Sequence, residues 1–87
     1  MKGDITLAQA EEAARIATQK ELANYEVPAE LMGQVVLTTL FEGDDRVFVL
    51  YVPGQTRNDP MVVARTRVNI RTGQLSVEVP TLSKKAA

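Results

Sequence analysis

Apolar residues between positions 5 and 25 recur at the spacing of an amphipathic helix. At about 100° per residue they gather on one half of a helical wheel. The other half consists of Glu11, Glu12, Arg15, Thr18 and Gln19, whereas Lys20 and Glu21 fall on the apolar side. The apolar half consists of Leu7, Ala10, Ala13, Ala14, Ile16, Ala17 and Tyr25. Most of these residues are alanines, so this face is thin and can closely approach a flat partner such as a β-sheet.

Both ends of this helix are marked in the sequence. Thr6 and Gln9 have the spacing of a capping box, in which each side chain accepts a hydrogen bond from the backbone of the other residue. At the other end, Pro28 forces Val27 out of helical dihedral angles. The sequence therefore predicts a helix over about residues 6–25.

After residue 32 the period of the apolar residues changes to the alternation of β-strands. The predicted strands are residues 33–41, 46–52, 61–70 and 74–80. The proline-containing segment 53–60 is predicted to be an exposed loop. The third strand alternates strictly, which assigns Val62, Ala64, Thr66, Val68 and Ile70 to the core and Val63, Arg65, Arg67, Asn69 and Arg71 to solvent.

Together these elements predict an α+β fold in a single domain over residues 1–87. One N-terminal helix packs on a roughly four-stranded antiparallel sheet made of sequential hairpins. The predicted core includes Leu7, Ala10, Ala14, Ala17, Val68 and Val77. The tail, residues 81–87, has no periodicity and is predicted to be frayed.

The last hairpin allows two turn geometries at Thr72 and Gly73. A tight two-residue turn places Arg67 opposite Glu78. A longer loop begins at Asn69 and holds Gly73 in a left-handed conformation. The sequence is compatible with both geometries.

The composition excludes several kinds of chemistry. The 87 residues include no cysteine and no histidine, so thiolate or histidine metal sites and the common nucleophile–histidine arrangements are excluded. The net charge of −1 gives no general attraction to nucleic acid. No apolar run approaches the roughly 20 residues of a membrane span. We therefore expect no enzyme activity, no metal or cofactor, and no binding of nucleic acid or membranes.

The absence of cysteine also favours a cytoplasmic location, because small secreted domains usually need disulfides. The first residues lack the apolar run of a signal peptide. A periplasmic or secreted location is expected only if an upstream signal peptide has been removed.

Two charged surfaces are candidate partner-binding sites. The favoured surface is a row of arginines on the third strand, joined by one arginine of the preceding loop, because arginine suits carboxylate recognition and is enriched in protein interfaces. Its residues are Arg57, Arg65, Arg67 and Arg71. The alternative is an acidic hairpin tip, which suits a cationic partner. Its residues are Glu42, Asp44 and Asp45. Each surface can also be a solvated one, with charges neutralised by neighbours such as Glu78.

Three segments resemble two kinds of small bacterial domain. They are ITLAQAEEAARIA at residues 5–17, RVFVLY at residues 46–51 and VNIRTGQL at residues 68–75. The first kind is the small helix-plus-sheet immunity proteins of toxin–immunity systems. The second is the PepSY domain, which is associated with peptidase inhibition or regulation. Arg46 stands where the immunity pattern favours an aromatic residue, and Asn69 stands where both patterns favour aspartate.

The resemblance implies a protein that acts by binding one cognate protein. We expect a non-enzymatic module, an immunity or inhibitor protein, that neutralises this partner by occlusion. The alternatives are a PepSY-like peptidase regulator and a structural or assembly subunit. A neighbouring gene for a large toxin would favour the first function, and one for a secreted peptidase would favour the second.

Overall fold

A computed structural model describes residues 4–53 and 61–85 of the chain. In these residues the chain forms a small α+β domain, as predicted, with a single antiparallel sheet in the order β1-β2-β3-β4. The helices are α1 (Leu7–Leu22) and α2 (Ala29–Met32). The strands are β1 (Val36–Glu42), β2 (Asp45–Val52), β3 (Met61–Asn69) and β4 (Leu75–Glu78).

The predicted capping box starts α1. The Thr6 hydroxyl accepts a hydrogen bond from the Gln9 backbone N–H at 3.1 Å, and the Gln9 side chain accepts one from the Thr6 N–H at 2.9 Å. The helix ends at Leu22, three residues before the predicted end. Val27 is not helical, as predicted, and Pro28 precedes the short helix α2, which the sequence pattern did not predict.

The frayed tail predicted from the sequence is wrong for residues 81–85. The Glu26 N–H donates to the Ser83 carbonyl at 2.9 Å, and the Lys85 N–H donates to the Asn24 carbonyl at 2.8 Å. The Lys84 ammonium lies 5.8 Å from the centroid of the Tyr25 ring. Because α1 ends early, the backbone groups that follow it need partners outside the helix, and the tail supplies them.

The helix α1 packs chiefly on β3 and also contacts β2 and β4. The alanine face predicted from the sequence forms the contact, since Ala10 and Ala14 are buried against Phe48 and Val68. Leu7, however, is 43% exposed, which contradicts its predicted core position. The buried residues of α1 are Ala10, Ala14 and Thr18, and Leu7, the first residue of the helix, lies beyond the end of this buried row, about one turn before Ala10.

The sequence pattern places Thr18 on the polar half of the helical wheel, and this prediction is wrong. It is buried, and its hydroxyl lies 2.5 Å from the hydroxyl of Thr66, which is also buried on β3. A buried hydroxyl is tolerated only when it is hydrogen-bonded, and here each hydroxyl satisfies the other. The pair therefore fixes where α1 crosses the sheet.

The alternation predicted for β3 fails at one residue. Leu50 pairs with Ala64 and Tyr51 pairs with Val62, so Val63 is an extra residue in a β-bulge. Val63, predicted to face solvent, is fully buried together with Ala64. The bulge shifts the alternation, so two consecutive side chains become buried.

The last hairpin adopts the longer of the two geometries. Gly73 has a φ of 79°, and its N–H donates to the Asn69 carbonyl at 2.8 Å. The Asn69 side-chain oxygen also accepts from the backbone N–H groups of residues 71 and 72. As a result Glu78 lies opposite Arg65 and not opposite Arg67.

We expect Ala14→Asp to destabilise the domain by about 3 kcal/mol or more, because it buries a charge without a partner. Ala14 is only 3% exposed. Chemical denaturation should show the loss. Ala8→Asp, on the exposed side of the same helix, is the control and should leave the stability nearly unchanged. Equal stability of the two variants would mean that the helix face is misassigned.

The hydroxyl pair between α1 and β3 gives a second stability prediction. Thr18→Val and Thr66→Val should each cost about 1–3 kcal/mol, because each leaves one buried hydroxyl unsatisfied. The double variant should lose clearly less stability than the sum of the two single losses, since both polar groups are then removed. Urea unfolding of the three variants measures this coupling. Strictly additive losses would show that the two hydroxyls do not interact.

Candidate binding surface

Two arginines of the predicted binding surface lie on β3, on the sheet face opposite α1, and both are engaged by carboxylates. Arg65 lies 2.8 Å from Glu78. Arg67 lies 2.9 Å from Asp45 and 3.0 Å from Glu42. Hydrogen bonds to Asp45 first, and then to Glu42, raise the pKa of the Arg67 guanidinium above its usual value.

The third arginine of this surface is held more loosely. Arg71 is 3.4 Å from Asp44, and its side chain is 63% exposed. The Asn69 amide donates to the second carboxylate oxygen of Asp45 at 3.0 Å, which ties the hairpin tip to the end of β3. Arg57 lies outside the described residues.

Arg67 and Arg71 are therefore paired with the acidic tip, which the sequence presented as an alternative to the arginine surface, and Arg65 is paired with Glu78. We refer to these neighbouring ion pairs together as the ion-paired cluster. Three guanidinium groups meet four carboxylates. The members are Glu42, Asp44, Asp45, Arg65, Arg67, Arg71 and Glu78. The cluster has a slight excess of negative charge, so it offers no net attraction to an acidic partner.

The arginines also have a structural role on this face. Val47 and Val49 of β2 are buried, and their cross-strand neighbours are Arg67 and Arg65. The aliphatic stems of arginines commonly cover apolar neighbours while the charged ends stay in water. We interpret this face as a surface whose charged groups are already paired with each other within the chain.

A groove opens on the other face of the sheet, between α1 and the strands β1 and β2. Its volume is about 460 Å³. The floor is apolar and consists of Leu37, Phe48 and Leu50. The helix wall includes Ala8 and Leu22 together with charged residues of α1. The groove exists because α1 lies over β3 and leaves the β1 side of the sheet open.

The charged residues of the helix wall are Glu11, Glu12 and Arg15. Arg15 pairs with Glu12, and this contact lowers the pKa of the Glu12 carboxyl through a hydrogen bond and through charge attraction. Glu12 thus stays ionised over a wider pH range than an ordinary glutamate, and the pair holds as the pH falls until that lowered pKa is reached. The wall as a whole carries one more negative than positive charge.

The outer strand β1 exposes large apolar side chains on both faces of the sheet. These are Val36, Leu37, Leu40 and Phe41. Phe41 is 61% exposed, and the Arg46 guanidinium lies 4.6 Å from its ring centroid. Sequence reasoning missed this surface, although a signal was present. The segment Val36–Phe41 has no charged residue, and the order of sequential hairpins puts it at the edge of the sheet.

Comparison with protein-family models, curated proteins and solved structures found no match to this chain. Within residues 4–53 and 61–85, no group of three or more acidic, histidine or cysteine side chains is placed to hold a metal ion. Nor does this part of the chain contain a helix long and apolar enough to cross a membrane.

The ion-paired cluster predicts an unequal response to charge reversal. Arg67→Glu should lower the melting temperature, because it puts a third carboxylate beside Glu42 and Asp45. Arg71→Glu, the matched control, should lower it less because Arg71 has a single long contact. High salt should reduce the difference, since it screens exposed charges. Equal losses in the two variants would contradict the assigned contacts.

Proposed function

We propose that the protein is a non-enzymatic binding module that neutralises or restrains one cognate protein by covering part of its surface. The observation that carries this proposal is the apolar groove beside α1, whose floor continues into the exposed side chains of β1. Contiguous exposed apolar surface on a small soluble domain is typical of protein-interaction sites.

The groove suits an amphipathic segment of the partner. Leu37, Phe48 and Leu50 provide an apolar floor on which such a segment can bury its apolar side. Glu11, on the helix wall, is a suitable neighbour for a basic residue beside that apolar side. We therefore propose that the partner presents apolar side chains flanked by lysine or arginine, in agreement with the slight negative charge of the chain.

The charge arrangement favours the groove over the arginine surface that the sequence favoured. To bind Arg65 or Arg67, an acidic partner must compete with carboxylates that already lie about 3 Å away. Exchanging one ion pair for another at an exposed site changes the free energy little. An apolar groove has no such competitor except water.

This mode of action agrees with the resemblance to immunity proteins, which implies occlusion of a toxin. The product of the neighbouring gene is the first partner to test. The two purified proteins should form a complex, and the toxin activity should fall in proportion to the bound fraction. If that gene encodes a secreted peptidase, the same assay tests the peptidase-regulator alternative.

The groove predicts one variant that blocks binding without affecting the fold. Ala8 is exposed on the groove wall, so Ala8→Arg should place a long side chain in the groove and weaken inhibition by about tenfold or more, or about 1.4 kcal/mol. Titration of the partner's activity measures this change.

The matched control is Ala23→Arg, an equal substitution at an exposed residue that does not line the groove. It should inhibit as well as the unmodified protein does. Equal inhibition by the two variants would exclude the groove as the binding site. Turnover of a substrate by the purified chain alone would contradict the non-enzymatic proposal.

A further inference from the structure

The sheet has an edge at β1 that the described residues leave without a neighbouring strand on its outer side. Natural proteins usually protect such an edge with charged residues, proline or a bulge. β1 has none of these between Val36 and Phe41, and its ladder with β2 is regular over all seven residues. This edge is therefore suited to pairing with another strand.

The hairpin fixes which backbone groups of β1 are available. Glu42 and Asp45 close the two-residue turn between β1 and β2. The pair that closes such a turn is hydrogen-bonded, and hydrogen-bonded and non-hydrogen-bonded pairs then alternate along the ladder. The N–H and C=O groups of Leu37, Thr39 and Phe41 therefore point away from β2, towards the open edge.

We propose that β1 pairs antiparallel with β1 of a second copy of this chain, about a two-fold axis that passes beside Thr39. In this register the two Thr39 residues face each other, and Leu37 faces Phe41 of the second copy at both ends. Leu37 and Phe41 are 53% and 61% exposed in the single chain. Pairing buries these apolar side chains against each other on the helix side of the sheet, which removes apolar surface from water.

Charge favours the antiparallel direction. The acidic turn that Glu42 and Asp45 close lies at one end of β1. A parallel arrangement of the two β1 strands would therefore bring two acidic turns together. The antiparallel register separates them and places each Glu42 beside Val36 of the second copy. The strand is self-complementary, because Leu37 and Phe41 lie equally far from Thr39 on the same face, as an interface with two-fold symmetry requires.

The size of the surface predicts a reversible dimer. Specific interfaces bury on the order of 800 Å² per partner, and one seven-residue strand with its side chains provides less.

The inference does not depend on the proposed function, but one consequence rests on it. In the dimer the two grooves adjoin on one face of an eight-stranded sheet. Five strand spacings of about 4.8 Å would separate the two β3 strands, and thus the two α1 helices, by about 24 Å, enough for one helix of a partner.

Sedimentation equilibrium of the purified chain, without any partner, tests the dimer. The weight-average mass should rise from one chain towards two with concentration. Leu37→Lys and Phe41→Glu should each raise the dissociation constant by about tenfold or more, because each removes two symmetric contacts. The variant with both changes should recover much of the affinity, since lysine then faces glutamate across the axis. Circular dichroism should show native structure in all three variants.

The register has its own test, because the chain contains no cysteine. Thr39→Cys should form a disulfide-linked dimer on mild oxidation, since the two Thr39 residues would be a hydrogen-bonded pair with Cα atoms about 5.5 Å apart, within the range of a disulfide. Thr38→Cys, the matched control, faces residue 40 of the second copy and should cross-link much more slowly.

Three outcomes would overturn the proposal. The first is a monomeric chain at all concentrations. The second is equal cross-linking by the two cysteine variants. The third is a doubly charged variant that associates no better than the single ones. A monomer whose β1 amides become protected only when a different protein binds would assign the edge to that protein instead.

Discussion

A single helix cannot cover a four-stranded sheet, and the rest of this structure depends on where that helix lies. A helix with its side chains is about 10–12 Å wide, and neighbouring strands are about 4.8 Å apart, so one helix covers about two strands. Here α1 lies over β3 and shields parts of β2 and β4. The helix side of β1 therefore stays open, and the groove and the exposed edge are both consequences of this offset.

The position of α1 is set by small side chains and by hydrogen bonds at both of its ends. Ala10 and Ala14 allow a close approach to the sheet, and Thr18 reaches the Thr66 hydroxyl. At the start of the helix, the Ile5 N–H donates to the Ile70 carbonyl at 2.9 Å. Beyond its end, the tail is hydrogen-bonded to residues 24–26. Moving α1 to the middle of the sheet would break these contacts and bury a threonine hydroxyl without a partner.

Local sequence patterns predicted the fold. They could not predict features that depend on how distant strands and helices are aligned with each other. The capping box and the hairpins are encoded by residues close in sequence, so both could be recognised. The bulge at Val63 and the contact of Thr18 depend on a strand or helix that lies far away in sequence. The ion pairs of Arg67 span 25 and 22 residues, so the sequence presented their two halves as separate surfaces. The contacts of the tail have no signal in the sequence, because they are hydrogen bonds between backbone groups and do not depend on residue type.

The contrast between the two faces of the sheet determines where binding energy is available. On the charged face, Arg65 and Arg67 already have carboxylate partners, so a new partner gains only the small difference between two similar exposed ion pairs. On the helix side, Leu37 and Phe41 contact water over more than half of their surface. Burying apolar surface yields about 25 cal/mol per Å² and requires no ion pair to be broken. The apolar edge, not the more conspicuous charges, is therefore the surface from which association gains most.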